Sequence, residues 1–413
     1  MFRHVNVEIV IVGAGVIGLA IAEALVAEGR EVILIDGNEP GSGASYGNAG
    51  TIADYAVMPV GTPGVLWGLP QLLFNRNSPL AIRPGGLGAL LPWLTRFAVQ
   101  SLPAASARNA AAIAGLLVGA KDLWQDLVGR IGAADLMDGR GALYLYETAA
   151  AFRAAEADMA VRRAMGVTVD LISAAQVAEL EPGLPQTAAG AAFFPKAACF
   201  TDPGGLMERL RQAAMQHAGF LSGRVERVQR QIDGIIVEGA GFRVHARTVI
   251  LATGAHGRDL ARQAGDVVPL ETERGYHAEW DMDAPLLQRP VCPSSRGFYM
   301  VPMAGRLRVA GTVELGGLTA PPSPHRIARL VEGARAIFPD LGEPDRTWMG
   351  FRPSMPDSLP VIGPSQGGGD VIHAYGHGHI GLTLAPVTAR IVADLVAGRP
   401  PERDITACRP GRF

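Results

Sequence analysis

The chain has 413 residues, a hydrophobic fraction of 48%, a charged fraction of 18% and a formal net charge of −2. A chain of this length and apolar content can bury a large core, and two domains are the natural expectation. The balanced charge argues against a nucleic-acid partner, and three widely spaced cysteines argue against a disulfide framework or a zinc knuckle.

The first forty residues have the pattern of a dinucleotide-binding unit. Residues 7–12 predict a buried parallel strand, and Gly13-Ala14-Gly15-Val16-Ile17-Gly18 follows it. These glycines permit the turn, the approach of a pyrophosphate and close packing of the next helix, predicted at residues 16–28. A second strand ends in Asp36, at the spacing of an acid that binds a ribose 2′-hydroxyl, which disfavours NADP. A glycine-rich helix start in an ordinary α/β protein is the alternative.

A loop of small residues, 40–51, follows Asp36 and includes Ser45, Asn48, Ala49 and Gly50. Such a composition suits a backbone laid along a ligand, and a flexible surface loop is the alternative. The position favours the ligand, because a loop that leaves the second strand lies at the sheet edge where the cofactor must extend.

The middle of the chain predicts helices and then strands. Residues 56–132 are rich in Ala, Leu, Gly and Pro, with a long helix expected at 109–129. We expect this region to pack on the cofactor domain; an exposed apolar patch that touches a membrane or a quinone pool is the alternative. Strands are predicted at 143–146, 275–280, 298–302 and 307–312, and helices at 150–165 and 174–182.

The last third returns to cofactor-type motifs. A buried strand ends in Ala252-Thr253-Gly254, and a later strand leads into the glycine loop 376–383. A closing helix is predicted from Leu384, with Thr383 as its N-cap. His373, His377 and His379 are close in sequence, but no carboxylate or cysteine lies among them, so we predict no metal site.

Taken together, these motifs resemble the D-amino acid oxidase/glycine oxidase superfamily of FAD-dependent oxidoreductases, and most of all its D-amino acid dehydrogenase branch. The resemblance rests on GAGVIG, Asn48-Ala49-Gly50, the Ala-Thr-Gly turn, Gly350-x-Arg352-Pro353 and the loop that ends at Thr383. It implies an α/β fold with a discontinuous Rossmann-like FAD-binding domain and an α+β substrate domain with an antiparallel sheet. The implied boundaries are 1–55, 195–265 and 345–413 for the FAD-binding domain, 56–132 for a helical region packed on it, and 133–194 and 266–344 for the substrate domain.

The resemblance also implies which residues contact non-covalent FAD. We expect the pyrophosphate at the first glycine motif, the ribose at Asp36, the adenine at Val225, and the flavin ring at the small-residue loop and the last glycine loop. The expected cofactor residues are Gly13, Gly15, Val16, Ile17, Gly18, Asp36, Ser45, Asn48, Ala49, Gly50, Val225, Thr253, Gly254, Gly378, His379, Ile380, Gly381, Leu382 and Thr383.

The implied reaction is oxidative deamination of a small amino acid, most of all a D-amino acid, by hydride transfer from its α-carbon to flavin N5. Arg352 is the expected carboxylate anchor, because a guanidinium matches a carboxylate in charge and geometry; a structural pair with Asp357 is the alternative. Tyr299 and Tyr276 are the expected hydroxyl partners, against plain strand packing. His377 is expected at the flavin edge, against a role through its backbone alone.

The expected partners are a small amino-acid substrate and an electron acceptor. Some oxidase relatives use a lysine near the flavin to activate oxygen, and Lys121 and Lys196 lie outside the motifs. This favours a quinone or an electron-transfer protein over oxygen. A glycine, sarcosine, D-proline or D-hydroxyproline enzyme and a non-enzymatic electron-transfer or assembly subunit are the rival functions. We expect a cytoplasmic protein, with peripheral contact at the inner face of the cell membrane left open.

Overall fold

The computed structural model describes residues 3–74, 80–83, 87–185 and 188–413. The first half of the chain contains β1 (Arg3–Val12), α1 (Val16–Ala27), β2 (Val32–Asp36), β3 (Thr51–Ile52), α2 (Pro63–Phe74), β4 (Leu80–Ile82), α3 (Leu87–Gln100), α4 (Pro103–Leu117), α5 (Ala120–Arg130), β5 (Met137–Asp138), β6 (Ala142–Tyr146), α6 (Ala149–Ala164), β7 (Asp170–Ser173), α7 (Ala174–Leu180), β8 (Gly190–Phe194) and β9 (Ala198–Phe200). The second half contains α8 (Pro203–Met215), β10 (Gly219–Ser222), β11 (Val225–Gln231), β12 (Gly234–Gly239), β13 (Phe242–Leu251), α9 (Arg258–Ala264), β14 (Glu271–Asp281), β15 (Val291–Pro293), β16 (Phe298–Met303), β17 (Arg306–Leu315), α10 (Pro324–Arg335), β18 (Arg346–Ser354), β19 (Val361–Ser365), β20 (Gly368–Tyr375) and α11 (Gly381–Val396).

The first sheet carries the dinucleotide-binding motif. Its strands follow the order β10-β2-β1-β13-β12-β11, and β20 pairs with β13 on the same edge as β12. The strands β10, β2, β1, β13 and β20 run parallel. Both faces are covered, since Ile9 and Ile11 belong to one buried cluster and Val10 and Val12 to another. This explains why the strand is a continuous apolar run without alternation.

The second sheet, which we call the roof sheet, has the order β18-β14-β17-β16-β15-β6-β8-β7, with β4 beside β17. Its central pairs β18–β14, β14–β17 and β17–β16 are antiparallel. Tyr276 and Phe298 point to the face that packs with α10. Because side chains alternate along a strand, His277 and Tyr299 point to the opposite face, where His277 contacts the small-residue loop at Gly47. The mixed α/β class predicted from the sequence is confirmed, and the predicted domain boundaries stay a prediction.

Two predicted helices differ from the structure. The long helix expected at residues 109–129 is two helices, α4 and α5, because Val118 leaves the helical conformation with ψ 125° and Gly119 follows with a left-handed φ of 64°. The closing helix begins at Gly381 and not at Leu384, so Thr383 is inside the helix and is not its N-cap.

Helix α11 contains a proline, and a side chain of α5 replaces the backbone hydrogen bond that this proline removes. Pro386 has no N–H, so the carbonyl of Leu382 lacks its helical donor. The indole Nε1 of the fully buried Trp124 donates to that carbonyl at 2.8 Å. The segment Gly378–Val396 is long and apolar enough to cross a membrane, but 67% of it is buried in the protein, which is the pattern of a core helix.

Candidate functional site

The N-terminus of α1 lies open beside the end of β1. Gly13 has φ 106°, and a Cβ there would lie 2.4 Å from the carbonyl oxygen of Ala252. A Cβ at Gly18 would lie 1.9 Å from the Gly13 oxygen, so the helix packs directly on the loop. Gly15 is the N-cap and has no side chain to occupy the first-turn N–H groups, including that of Ile17. This arrangement suits a phosphate group.

Asp36 ends β2 next to this loop. Its Oδ2 accepts the N–H of Ala14 at 2.8 Å, and its backbone oxygen accepts the N–H of Gly223 at 2.8 Å. The second bond brings the start of β11, with Val225, beside the carboxyl end of β2. The structure therefore brings Asp36 and Val225 together, where the adenosine end of a dinucleotide is expected.

The turn after β13 completes this end of the site. Thr253 has a buried Oγ1 without a hydrogen-bond partner in the described chain, and Gly254 has φ 54°. A Cβ at Gly13 would also lie 3.2 Å from the Cα of Thr253. The turn thus borders the glycine motif, and the orphaned hydroxyl is a donor available to a ligand.

The small-residue loop is ordered by its own side chains. Ser45 Oγ accepts the N–H of Val16 at 2.9 Å, which ties the loop to the start of α1. Asn48 Oδ1 accepts the N–H of Gly50 at 2.6 Å, and Asn48 Nδ2 donates to the Ser45 carbonyl. Ala49 lies between them, and Gly50 has φ 68°. A fixed loop of this kind can lie along a cofactor without losing much further entropy.

The last glycine loop offers mainly backbone to a ligand. Gly378 has φ 56°, and Ile380 and Leu382 are buried. The Oγ1 of Thr383 accepts the N–H of Ala53 at 3.0 Å, so this side chain is engaged within the protein. The predicted contact of residues 378–383, including Gly381, with the flavin stays a prediction about their backbone.

The two histidines of this loop differ in environment. His377 is 2% exposed and its Nε2 pairs with Thr388 Oγ1 at 2.9 Å. The ring is directed toward α11, which favours the alternative that His377 acts through its backbone alone, and its place at the flavin edge stays a prediction. The pKa of His379 is lowered to about 4, first by desolvation of its ring and then by the charge of Arg352.

Arg352 is a half-buried cation with few partners. Its Nη1 donates to the carbonyl of Thr312 at 3.0 Å, and this is its one hydrogen bond within the described chain. Its guanidinium lies over Gly275, where a Cβ would come within 2.4 Å of Cζ. Glu273 faces Arg352 across β14 and β18, but no ion pair within 4.0 Å joins Arg352 to a described carboxylate. The remaining N–H groups are available to an anion.

The alternative role for Arg352, a structural pair with Asp357, does not fit. Asp357 is bonded to Arg412, whose Nε donates to Asp357 Oδ2 at 2.7 Å and whose Nη2 donates to Oδ1 at 3.2 Å. Asp357 Oδ1 also accepts the N–H of Leu359. The carboxylate is thus fully used away from Arg352.

Tyr299 lies on the same face of the roof sheet as Arg352. Its hydroxyl is 2.8 Å from that of Tyr144, and the Tyr55 hydroxyl is buried in the same group with no hydrogen bond of normal geometry. The Tyr55 ring stacks on Phe194 at 4.2 Å. Burial raises the pKa of Tyr55, Tyr144 and Tyr299, so these phenols stay protonated and can donate but not act as bases.

Tyr276 is not part of this group, and its prediction as a substrate contact is wrong in this structure. Its hydroxyl donates to Glu314 Oε2 at 2.5 Å and accepts the N–H of Ser323 at 3.1 Å. The ring is 1% exposed and packs in the core beneath α10. Tyr276 and Tyr299 are on opposite faces of the same sheet, which the spacing of the sequence did not reveal.

The histidines considered as a metal site do not converge. His373 Nε2 pairs with Asp266 Oδ2 at 2.8 Å inside the first sheet region, away from the other two rings. Within the described residues, no group of three or more His, Cys, Asp or Glu side chains could hold a metal ion.

Four residues at the site were not predicted from the sequence. The hydroxyls of Tyr55 and Tyr144 lie in one buried cluster with that of Tyr299. Arg308 and His277 contact the carbonyls of the small-residue loop. A buried arginine in an apolar strand, Leu307-Arg308-Val309, was the available signal, because an unpaired charge is seldom buried. Their partners are too distant in sequence to be predicted locally.

The residues present fit FAD. An open helix N-terminus, an acid at the end of β2, an orphaned hydroxyl at Thr253 and an ordered loop line one continuous edge of the first sheet. The described chain also offers the last glycine loop at the opposite end of that edge. When bound there, FAD supplies the acceptor for two electrons and a hydrogen.

Comparisons with known proteins agree with this fit. A family model described as FAD dependent oxidoreductase matches residues 8–395. The chain is 32% identical to a D-amino-acid oxidase of Bradyrhizobium diazoefficiens, covering 100% of this chain and 99% of that protein, and 32% identical to D-amino acid dehydrogenase 2 of Ralstonia nicotianae, covering 95% and 97%. The glycine oxidase structure from Geobacillus kaustophilus superposes with a TM-score of 0.78 at 25% identity, covering 99% of each chain. The chain therefore belongs to the DAO family of FAD-dependent oxidoreductases, and FAD is its cofactor.

Proposed function

We propose that the protein catalyses FAD-dependent oxidative deamination of a small D-amino acid. The observation that carries the proposal is Arg352, a half-buried guanidinium that donates one hydrogen bond and has no carboxylate within ion-pair distance in the described chain. A site of this kind holds an anion by charge and by a fork of donors. Support for an amino-acid substrate comes from the relatives named D-amino-acid oxidase and D-amino acid dehydrogenase.

The residues around Arg352 would position the substrate and exclude water. Arg352 would hold the carboxylate, and the hydroxyls of Tyr299, Tyr144 and Tyr55 would border the rest of the substrate. These phenols remain protonated, so the amine must reach its neutral form without a tyrosinate base. Positioning of the α-hydrogen is then the main contribution of the protein, as intramolecular reactions show that orientation alone lowers barriers by several kcal/mol.

The test compares Arg352→Met with Arg346→Met, a control on the same strand whose guanidinium is paired with Asp281 and Glu279. We expect Arg352→Met to lower kcat/KM for D-amino acids about 100-fold or more, since loss of a buried charge pair costs about 2–5 kcal/mol. The bound FAD spectrum should stay unchanged, and Arg346→Met should remain within about twofold of the parent. Equal kcat/KM in Arg352→Met and the parent would exclude Arg352 as the anchor.

We further propose that electrons pass to a quinone at a membrane surface. Large apolar side chains on α2–α4 and the loops beside them are exposed, with Trp67 83%, Leu91 61% and Val118 66% exposed. Lys121, one of the two lysines of the chain, donates to the carbonyl of Lys196 at 2.8 Å, so its ammonium group is engaged within the protein. This favours a quinone over oxygen as the acceptor.

The acceptor is tested by reoxidation of the reduced protein. We expect slow reoxidation in air-saturated buffer and reoxidation at least tenfold faster with a short-chain quinone. Trp67→Ser, at an exposed position, should weaken sedimentation with phospholipid vesicles and leave the reaction with a soluble dye acceptor unchanged. Rapid reoxidation by air alone would contradict the proposal.

A further inference from the structure

The small-residue loop is held from the roof sheet by two side chains. Arg308 is 1% exposed, and its Nη1 donates to the Asn48 carbonyl at 2.5 Å and lies 3.5 Å from the Tyr46 carbonyl. His277 Nδ1 lies 3.0 Å from the Gly47 carbonyl. Three successive carbonyls of the loop, at residues 46, 47 and 48, therefore point toward the roof sheet.

The direction of these carbonyls fixes the direction of the next N–H groups. In a planar trans peptide, the C=O of one residue and the N–H of the next point in opposite directions, and the described chain contains no cis peptide. The N–H groups of Gly47, Asn48 and Ala49 must therefore point away from the roof sheet. None of them makes a hydrogen bond to a described residue. Free N–H groups on one side of a loop can bind a negatively charged atom.

The two side chains are themselves held rigidly. Arg308 Nε donates to Glu279 Oε1 at 2.7 Å, and Glu279 also accepts bonds from Arg306 and Arg346. The His277 ring stacks on Trp348 at 5.2 Å and 19°. Burial, followed by the charge of Arg308, lowers the pKa of His277 to about 4, so the ring is neutral and donates through Nδ1–H.

We propose that Arg308 and His277 form a positioning clamp, which turns the carbonyls of residues 46–48 onto the roof sheet and so directs the N–H groups of Gly47, Asn48 and Ala49 at the electronegative edge of the flavin. The clamp joins the roof sheet to the small-residue loop. Flavin binding then depends on two residues that lie about 230–260 positions after that loop in the sequence. Donors aimed at the flavin would stabilise its more negative, reduced form. Arg308 and His277 are positioning residues, since they act through the loop backbone.

The test measures FAD affinity of the apoprotein and the midpoint potential of the holoprotein. The variants are Arg308→Met and His277→Phe, with Arg306→Met as the matched control, because Arg306 bonds the same Glu279 without touching the loop. We expect Arg308→Met to raise the Kd for FAD about tenfold or more, from the loss of charge-assisted hydrogen bonds, with a more negative midpoint potential and an altered flavin absorption spectrum. His277→Phe should shift both quantities in the same direction by a smaller amount.

The control and a folding measurement separate the clamp from general damage. Glu279 keeps Arg306 and Arg346 as partners in Arg308→Met, so no buried charge is left alone. Thermal unfolding of the three apoproteins shows whether each variant is folded. The proposal is overturned if Arg308→Met and His277→Phe keep the Kd and the potential of the parent, or if Arg306→Met changes them equally. These measurements need no substrate, so they are independent of the proposed reaction.

Discussion

Arg352 and Glu273 face each other across β18 and β14 without forming an ion pair. Burial raises the pKa of the Glu273 carboxyl, against the opposing effect of the Arg352 charge and a hydrogen bond from Ser354. Burial also lowers the pKa of Arg352, against the effect of Glu273. An ionised Glu273 therefore offsets part of the charge that Arg352 presents to a substrate carboxylate.

This pair predicts how substrate affinity depends on pH. The folded pKa of Glu273 is above the ordinary 4.5. The carboxyl is therefore protonated at pH values below its folded pKa and ionises as pH rises through it. KM for a D-amino acid should rise with pH across this interval in the parent. At a pH above the folded pKa of Glu273, Glu273→Gln should have a KM about threefold lower than the parent, the effect of one weakly screened charge, with kcat nearly unchanged.

The measurement is KM and kcat of the parent and Glu273→Gln from pH 5 to 8. His379 has its pKa lowered to about 4 and is neutral over this range, so it does not contribute the same pH dependence. The idea fails if KM of the two proteins changes with pH in parallel.

At the scale of elements, α11 depends on a residue of α5. Trp124 donates to the Leu382 carbonyl that Pro386 leaves without a helical donor. We expect Trp124→Phe to lower the free energy of unfolding by about 1–3 kcal/mol, because a buried carbonyl loses its partner. Pro386→Ala restores a backbone N–H at the correct position, so the same tryptophan change should cost about 1 kcal/mol less in that background.

A double-mutant cycle in urea measures this coupling from the two single variants and the double variant. Additive effects, within about 0.3 kcal/mol, would show that the indole bond does not replace the missing helical bond.

The elements that sequence analysis predicted well are those with local rules. Close packing enforces the spacing of the first glycine motif, the strand before it and Asp36 after the next strand. A Cβ at Gly18, for example, would lie 1.9 Å from the Gly13 oxygen. The closing helix was placed three residues late, because Thr383 is a good N-cap by type but bonds Ala53, 330 residues away. Such long-range partners have no local signature.

The face of a strand is the second quantity that the sequence left open. Tyr276 and Tyr299 were both expected at the site. Tyr276 packs under α10, whereas Tyr299 lies on the opposite face, beside Tyr144. Both faces of the roof sheet are covered, so apolar residues occur at odd and even positions alike. The pairing of β14 with β17 also shifts register beside Thr312, which has φ 57°, so the alternation along β17 is broken there.

At the scale of the whole molecule, the two sheets meet at the small-residue loop, and we propose that one contacts FAD and the other the substrate. The first sheet would hold the FAD along one edge, at the open start of α1 and the acid Asp36. The roof sheet would supply the substrate anchor Arg352 and the hydroxyls of Tyr299 and Tyr144, and it carries Arg308, which bonds the small-residue loop. The family assignment covers nearly all of the chain, which agrees with a reaction that needs both sheets.

The central claim is that this chain oxidises D-amino acids through a carboxylate held by Arg352, and the most direct test is anaerobic reduction of the flavin. Purified holoprotein is mixed without oxygen with D-alanine, L-alanine, glycine, sarcosine or D-proline. The visible absorbance of the oxidised flavin is then followed in the parent and in Arg352→Met. We expect rapid bleaching of the parent by D-alanine and little by L-alanine. In Arg352→Met, with its FAD retained, reduction should be about 100-fold or more slower at equal substrate concentration. Failure of every amino acid to bleach the parent, or equal bleaching of both proteins, would contradict it.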